Sequence, residues 1–127
     1  MEAKCREIAE KIHHIRQENA LILEEKIKEQ LTDVGMAKST FKIKVDKEMQ
    51  LKSNGFDKVQ FLISTNPGEP LKPLDKVASG GELSRIMLSL KTVFIDRDMI
   101  PTVIFDEIDT GISGTIAQKV AEKMYLI

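Results

Sequence analysis

A chain of 127 residues, 42% hydrophobic and 31% charged, has enough apolar material for one small domain with its own core. Nineteen basic against 20 acidic side chains give a formal net charge of -1, so overall charge does not draw it to nucleic acid and any DNA contact needs a local patch or further sequence. No apolar run nears the ~18–20 residues that span a bilayer and the first residues are charged, unlike a secretory signal, so a cytoplasmic protein with no membrane partner is expected.

Residues 1–34 predict one helix, free of proline and glycine and rich in Glu, Lys and Ala. Ile8, Ile12 and Ile15 are spaced by four and three, with Asn19 at the next seam position, then Ile22, Ile27 and Leu31. Such spacing fits a coiled coil whose register a buried Asn can fix, or an amphipathic helix packed on the domain C-terminal to it. A hybrid is expected: the first turns end a coiled coil and the last turns dock on a globular part. Cys5, the single cysteine, cannot form an internal disulfide and reads as a surface or interhelix thiol in a reducing cytosol. His13 and His14 are adjacent, so they leave the helix in different directions and read as solvated residues rather than metal ligands.

Gly35 predicts the end of that helix. Residues 35–40 resemble the tail of a phosphate loop, but Thr32 and Ala37 stand where that motif needs glycine, and the order runs helix to strand rather than strand to helix. The resemblance is rejected. Phe41, Ile43 and Val45 alternate with Lys42, Lys44 and Asp46, Asn54-Gly55 marks a turn, and Val59, Phe61 and Ile63 alternate again. That pattern predicts two half-buried antiparallel strands. Residues 65–77 hold Pro67-Gly68, Pro70 and Pro73 and read as an irregular loop.

Ser79 and Glu82 form an S-x-x-E capping box ahead of a helix whose apolar stripe is Leu83, Ile86, Met87, Leu90 and Phe94. Capping does not account for Gly80-Gly81, since each glycine in a first turn costs about 1 kcal/mol relative to alanine. Bare N–H groups at the positive end of a helix are one way to hold phosphate, which gives the pair a use. Next, Pro101 opens a short apolar run, Thr102 to Phe105, that ends in Asp106-Glu107. It predicts a central parallel strand buried on both faces, with two carboxylates at the end where open α/β sheets place ligands. Asp106 there suits a Mg²⁺ site through bound water, and Glu107 a general base. The segment Ile108-Asp109-Thr110-Gly111-Ile112-Ser113-Gly114 is a glycine-punctuated turn, with Ser113 as cap for a last helix carrying Ile116, Ala117, Val120 and Met124 on one face.

Three stretches together, Asn66-Pro67-Gly68-Glu69-Pro70, Val77-Ala78-Ser79-Gly80-Gly81-Glu82-Leu83-Ser84-Arg85 and Phe105-Asp106-Glu107 through Gly114, closely resemble the RecN family of bacterial DNA repair proteins, relatives of the structural-maintenance-of-chromosomes (SMC) ATPases. The strong part covers about residues 54–123. The resemblance implies an α/β fold: the C-terminal half of an ABC-type ATPase head, with signature helix and Walker B strand, after a coiled-coil-exit helix (1–34) and a short antiparallel β segment within residues 35–127. It implies that two heads sandwich ATP, so that Ser79, Gly80, Gly81 and Glu82 meet the γ-phosphate held by the opposite head. Asp106 would act on Mg²⁺ and Glu107 on water at the nucleotide of their own head. Gly111, Ile112, Ser113 and Gly114 would be the D-loop at the dimer interface, although Ser113 stands where ABC transporters carry Asp, and that aspartate role is not assigned to it.

No phosphate loop occurs in the chain and no histidine occurs after His14, so the N-terminal half of the head and the switch-histidine segment are expected to lie outside it. The partners implied are that other half, a second copy through the ATP sandwich, and DNA, in double-strand-break repair and recombination at the bacterial nucleoid. On its own the chain is expected to be inactive. Two other readings stay open: a nucleotide-independent interaction fragment built on the leading helix, and a different SMC-like ABC ATPase.

Overall fold

With no proline or glycine to interrupt it, the leading segment forms α1 (Glu2–Asp33) in a computed structural model that describes residues 1–97 and 99–127. Gly35, at φ +83°, carries the chain out of the helix in the left-handed conformation that glycine adopts without strain. Ser39 then donates to the Met36 carbonyl and the chain enters a strand, so residues 35–40 form a helix-to-strand connection and no phosphate loop.

β1 (Thr40–Lys52) and β2 (Gly55–Ser64) pair antiparallel about the expected Asn54-Gly55 turn, in a register that sets Phe41 beside Ile63 and Val45 beside Val59. The expected loop at 65–77 is more ordered than its prolines suggest. It contains β3 (Lys72–Pro73), which pairs with β2 through Leu62↔Pro73 and Ile63↔Lys72, and a 3-10 turn at Leu74–Lys76. Proline is tolerated there because β3 is an edge strand with no further neighbour to serve. The opposite edge is answered by α1: the buried Glu24 accepts the Ile43 N–H at 2.8 Å and pairs with Lys42 at 2.7 Å.

α1, the sheet, α2 (Gly80–Phe94) and α3 (Gly114–Leu126) share one core. Ile27, Leu31, Val34, Ile63, Ile86 and Leu88 are its fully buried members, each contributing about 1.5–3 kcal/mol by leaving water. The docking of the last turns of α1 is therefore as expected. The expected stripe on α2 buries Ile86 and Leu90, but Met87 is exposed while Leu88, Ser89 and Arg85 are buried.

The predicted seam of α1 does not face the body. Ile8, Ile15 and Ile22 are exposed, and the side laid on the sheet and core is Ala9, His13, Ala20, Glu24, Ile27 and Leu31. Asn19 is exposed too, its amide donating to the Ile15 carbonyl within the helix. His13, expected in solvent, is buried: its Nδ1 lies 2.6 Å from Asp57 on β2, and Arg16 donates to the same carboxylate at 2.8 Å. His14 is exposed as expected. On α3, Val120 is buried, but Lys123 takes the place expected of Met124, held by Gln30 and by Asp33 at 3.0 Å.

Burial acts to raise the Asp57 carboxyl, yet the hydrogen bonds from Arg16 and His13, and then their charges, outweigh it and hold the group below the ordinary aspartate range. The ionised group therefore adds stability that is complete above the unfolded value of about 3.9 and is lost as pH falls through the lower folded value. Asp57→Asn is expected to cost about 1–3 kcal/mol at pH 7, measured by urea unfolding. The gap between the two proteins should close toward pH 3; a gap unchanged with pH would mean that the carboxylate charge is not what ties α1 to the hairpin.

One predicted element is corrected outright. Residues 101–105 form no strand, and Ile104 is 89% exposed. A strand buried on both faces needs neighbours on both edges, and among the described residues the three strands pair only with one another, at residues 40–73.

Candidate functional site

Ser79 has extended backbone angles (φ -89°, ψ 123°), and its hydroxyl accepts the Glu82 N–H at 3.3 Å, which is the Ser79 half of the predicted capping box. Gly80 and Gly81 thus form the first turn of α2, Gly80 exposed and Gly81 buried, with Glu82 half-buried in the same turn. Aligned peptide dipoles make this end of α2 electropositive.

Against this end lies the segment that carries the two carboxylates. Asp106 and Glu107 are both exposed. Glu107 adopts φ +54° and is, among the described residues, the one non-glycine in the left-handed region. Such a conformation costs on the order of 1–3 kcal/mol and persists where the surroundings fix it. The Thr110 N–H returns to the Glu107 carbonyl at 3.0 Å, closing a tight turn.

Gly81 is what lets this turn come so near. A side chain at Gly80 would overlap the Glu107 carboxylate. A Cβ at Gly81 would stand 2.9 Å from the Glu107 carbonyl oxygen and 3.1 Å from Thr110 Cβ. An alanine at 81 would gain about 1 kcal/mol of helix propensity, but only by pushing backbone aside. Gly81 therefore has a use inside this chain besides the phosphate contact expected from sequence.

Sequence reading missed the side chains that hold the turn from the helix side. Ser84 Oγ donates to the Asp106 carbonyl at 2.5 Å, and Arg85 Nη1 donates to the carbonyls of Ile108 at 3.2 Å and Thr110 at 2.7 Å. Arg85 is 8% exposed; burial lowers its pKa, opposed by the charge of Glu82. No local signal marked them: Arg85 and Ser89 lie off the predicted apolar stripe, where polar residues are expected.

The glycine-punctuated turn is on the surface. Gly111 (φ +75°) and Gly114 (φ +56°) face open space, and Ile112 packs against the core. Ser113 holds the N-cap position of α3 as expected, without a side-chain cap bond. No group of three or more His, Cys, Asp or Glu side chains able to hold a metal exists among the described residues. One exposed carboxylate still fits Mg²⁺, which keeps waters and takes its other ligands from phosphate oxygens rather than from a protein cage. A bare helix start and an exposed acid on one surface are thus compatible with Mg²⁺ and a polyphosphate. No helix of the described residues is long and apolar enough to cross a membrane.

No protein-family model matches the chain. The chain is 51% identical to the DNA repair protein RecN of Halalkalibacterium halodurans over an alignment of 115 positions that covers 87% of this chain and 20% of that protein. It is 43% identical to RecN of Bacillus subtilis over an alignment of 134 positions, gaps included, that covers 94% of this chain and 23% of the relative, and 44% identical to RecN of Vibrio cholerae over 115 positions, 90% and 21%. The chain therefore spans about a fifth of the length of the curated relatives it matches. Over the sequence that they share, this chain belongs to the RecN family.

Proposed function

We propose that this segment supplies the signature loop, the Walker B acids and the D-loop of an ABC-type ATPase head in a RecN-type protein that acts in DNA double-strand-break repair. The observation that carries the reading is the meeting of the bare N-terminus of α2 with Asp106 and Glu107 on one exposed surface. Identity to DNA repair proteins at 43–51% over most of the chain supports it.

In this reading bound Mg·ATP would supply the γ-phosphoryl group, which water attacks and from which ADP departs. Asp106 would hold Mg²⁺ through water, and Glu107 would accept the proton of the attacking water. Ser79, Gly80, Gly81 and Glu82 direct N–H groups and the positive end of α2 at the γ-phosphate bound by a second head, while Gly111, Ile112, Ser113 and Gly114 line the contact between the heads. The rest of the head supplies the phosphate loop and the strands that 101–105 needs as neighbours. The exposed Met99, Ile104, Tyr125 and Leu126 are in keeping with further polypeptide covering this side. Ile8, Ile15 and Ile22, seven residues apart and exposed, suit a coiled-coil arm joining the two half-heads. The protein would work in the bacterial cytoplasm, at DNA.

Two titrations test this. The isolated chain should show no micromolar binding of Mg·ATP by calorimetry, because two acids and a helix start offer few contacts without a phosphate loop. The full-length protein containing the segment should bind and hydrolyse ATP. Micromolar binding by the chain alone, or no hydrolysis by the full-length protein, would overturn the half-site assignment.

A further inference from the structure

The loop that bears Glu107 is held by two consecutive side chains of α2. Ser84 and Arg85 bind the carbonyls of residues 106, 108 and 110, alternate positions that flank Glu107 on both sides. Burying a guanidinium is expensive, and here it is answered by backbone oxygens of this one turn. Its Nε is buried and has no hydrogen-bond partner among the described residues. Gly81 leaves the space in which Arg85 Nη1 and the turn come together, a Cβ there standing 3.2 Å from that nitrogen. The turn so gripped is the one in which Glu107 is forced to φ +54°.

We propose that Arg85, assisted by Ser84, is a positioning residue that fixes Glu107 to the first turns of α2, so that a shift at the signature loop is carried directly to the general base of the same head. The part of this that concerns the base rests on the ATPase role proposed above; the grip on the turn does not. Neither side chain touches the reacting atoms. Both bonds leave one nitrogen, Nη1, which the planar guanidinium holds at the end of a long side chain; lysine keeps the charge, but its ammonium is one bond nearer the helix and lacks that planar support.

The test uses the full-length protein and three variants, Arg85→Lys, Arg85→Ala and Ser84→Ala, the first and last chosen to fold even if the second does not. Without nucleotide, amide hydrogen exchange at residues 107–112 should speed up by about tenfold or more in Arg85→Lys, as expected for loss of charge-assisted hydrogen bonds, while the β1–β2 hairpin exchanges as before. With ATP, kcat should fall by about tenfold or more, with KM and ATP-driven dimerisation close to wild type. Ser84→Ala should move both readouts the same way by less. Unchanged exchange at 107–112 in Arg85→Lys would overturn the grip. A loosened turn with unchanged kcat would overturn the positioning role. A wild-type protein without ATPase would refute the proposed function and leave the exchange result to decide the grip.

Discussion

Ser79→Arg in the full-length protein is expected to abolish ATP-driven dimerisation while leaving ATP binding to single heads intact. Ser79 is exposed at the start of α2, and its hydroxyl caps Glu82 N–H. As a cap alone its loss costs about 0.5–2 kcal/mol of stability and leaves dimerisation responsive to ATP. If the opposite head's γ-phosphate docks at this helix start, a long arginine side chain blocks the approach altogether. Analytical ultracentrifugation with and without ATP separates the two cases. Mixing decides whether the contact is made in trans. A Ser79→Arg subunit keeps its phosphate loop, and a subunit altered at its phosphate-loop lysine keeps its signature loop. Each should be inactive alone, and their heterodimer should recover part of the hydrolysis because it contains one complete composite site. A mixture that pairs and stays inactive would show that Ser79 does not act across the interface.

Glu107→Gln in the full-length protein should keep ATP binding and lower turnover by about 10²–10⁴-fold. The amide preserves the size of the side chain and removes the base. Dimers that wild type resolves by hydrolysis should then accumulate and persist. The geometry adds a condition to this result. Glu107 stands at φ +54° with its carboxylate against Gly80, and glutamine fits that space as glutamate does. The fold around it should therefore be unchanged, so a loss of turnover would report on chemistry. Turnover equal to wild type in the Gln variant would remove Glu107 from the mechanism.

Much of the local structure was legible because it depends on residues close in sequence. The absence of helix breakers over 1–34, the left-handed glycine at 35, the alternation around Asn54-Gly55 and the Ser79 cap each act within a few residues, and each appears where expected. The motifs that relate the chain to RecN were also read from local strings.

Tertiary structure alone decided which faces matter. Isoleucines at 8, 15 and 22 were expected to face a coiled-coil partner rather than the body, and which residues α1 would turn to the body there, Ala9, His13 and Glu24, could not be read from that spacing. Small and polar residues win there because the helix lies close over the hairpin, where Asp57 and the Ile43 N–H need partners. The run 101–105 has the composition of a buried strand and forms none, since a strand is a property of its neighbours and, among the described residues, none lies beside it. Arg85 gave no local sign of its task for the same reason. Its carbonyl partners lie 23 and 25 residues further along, and only the closeness allowed by Gly81 brings them within reach.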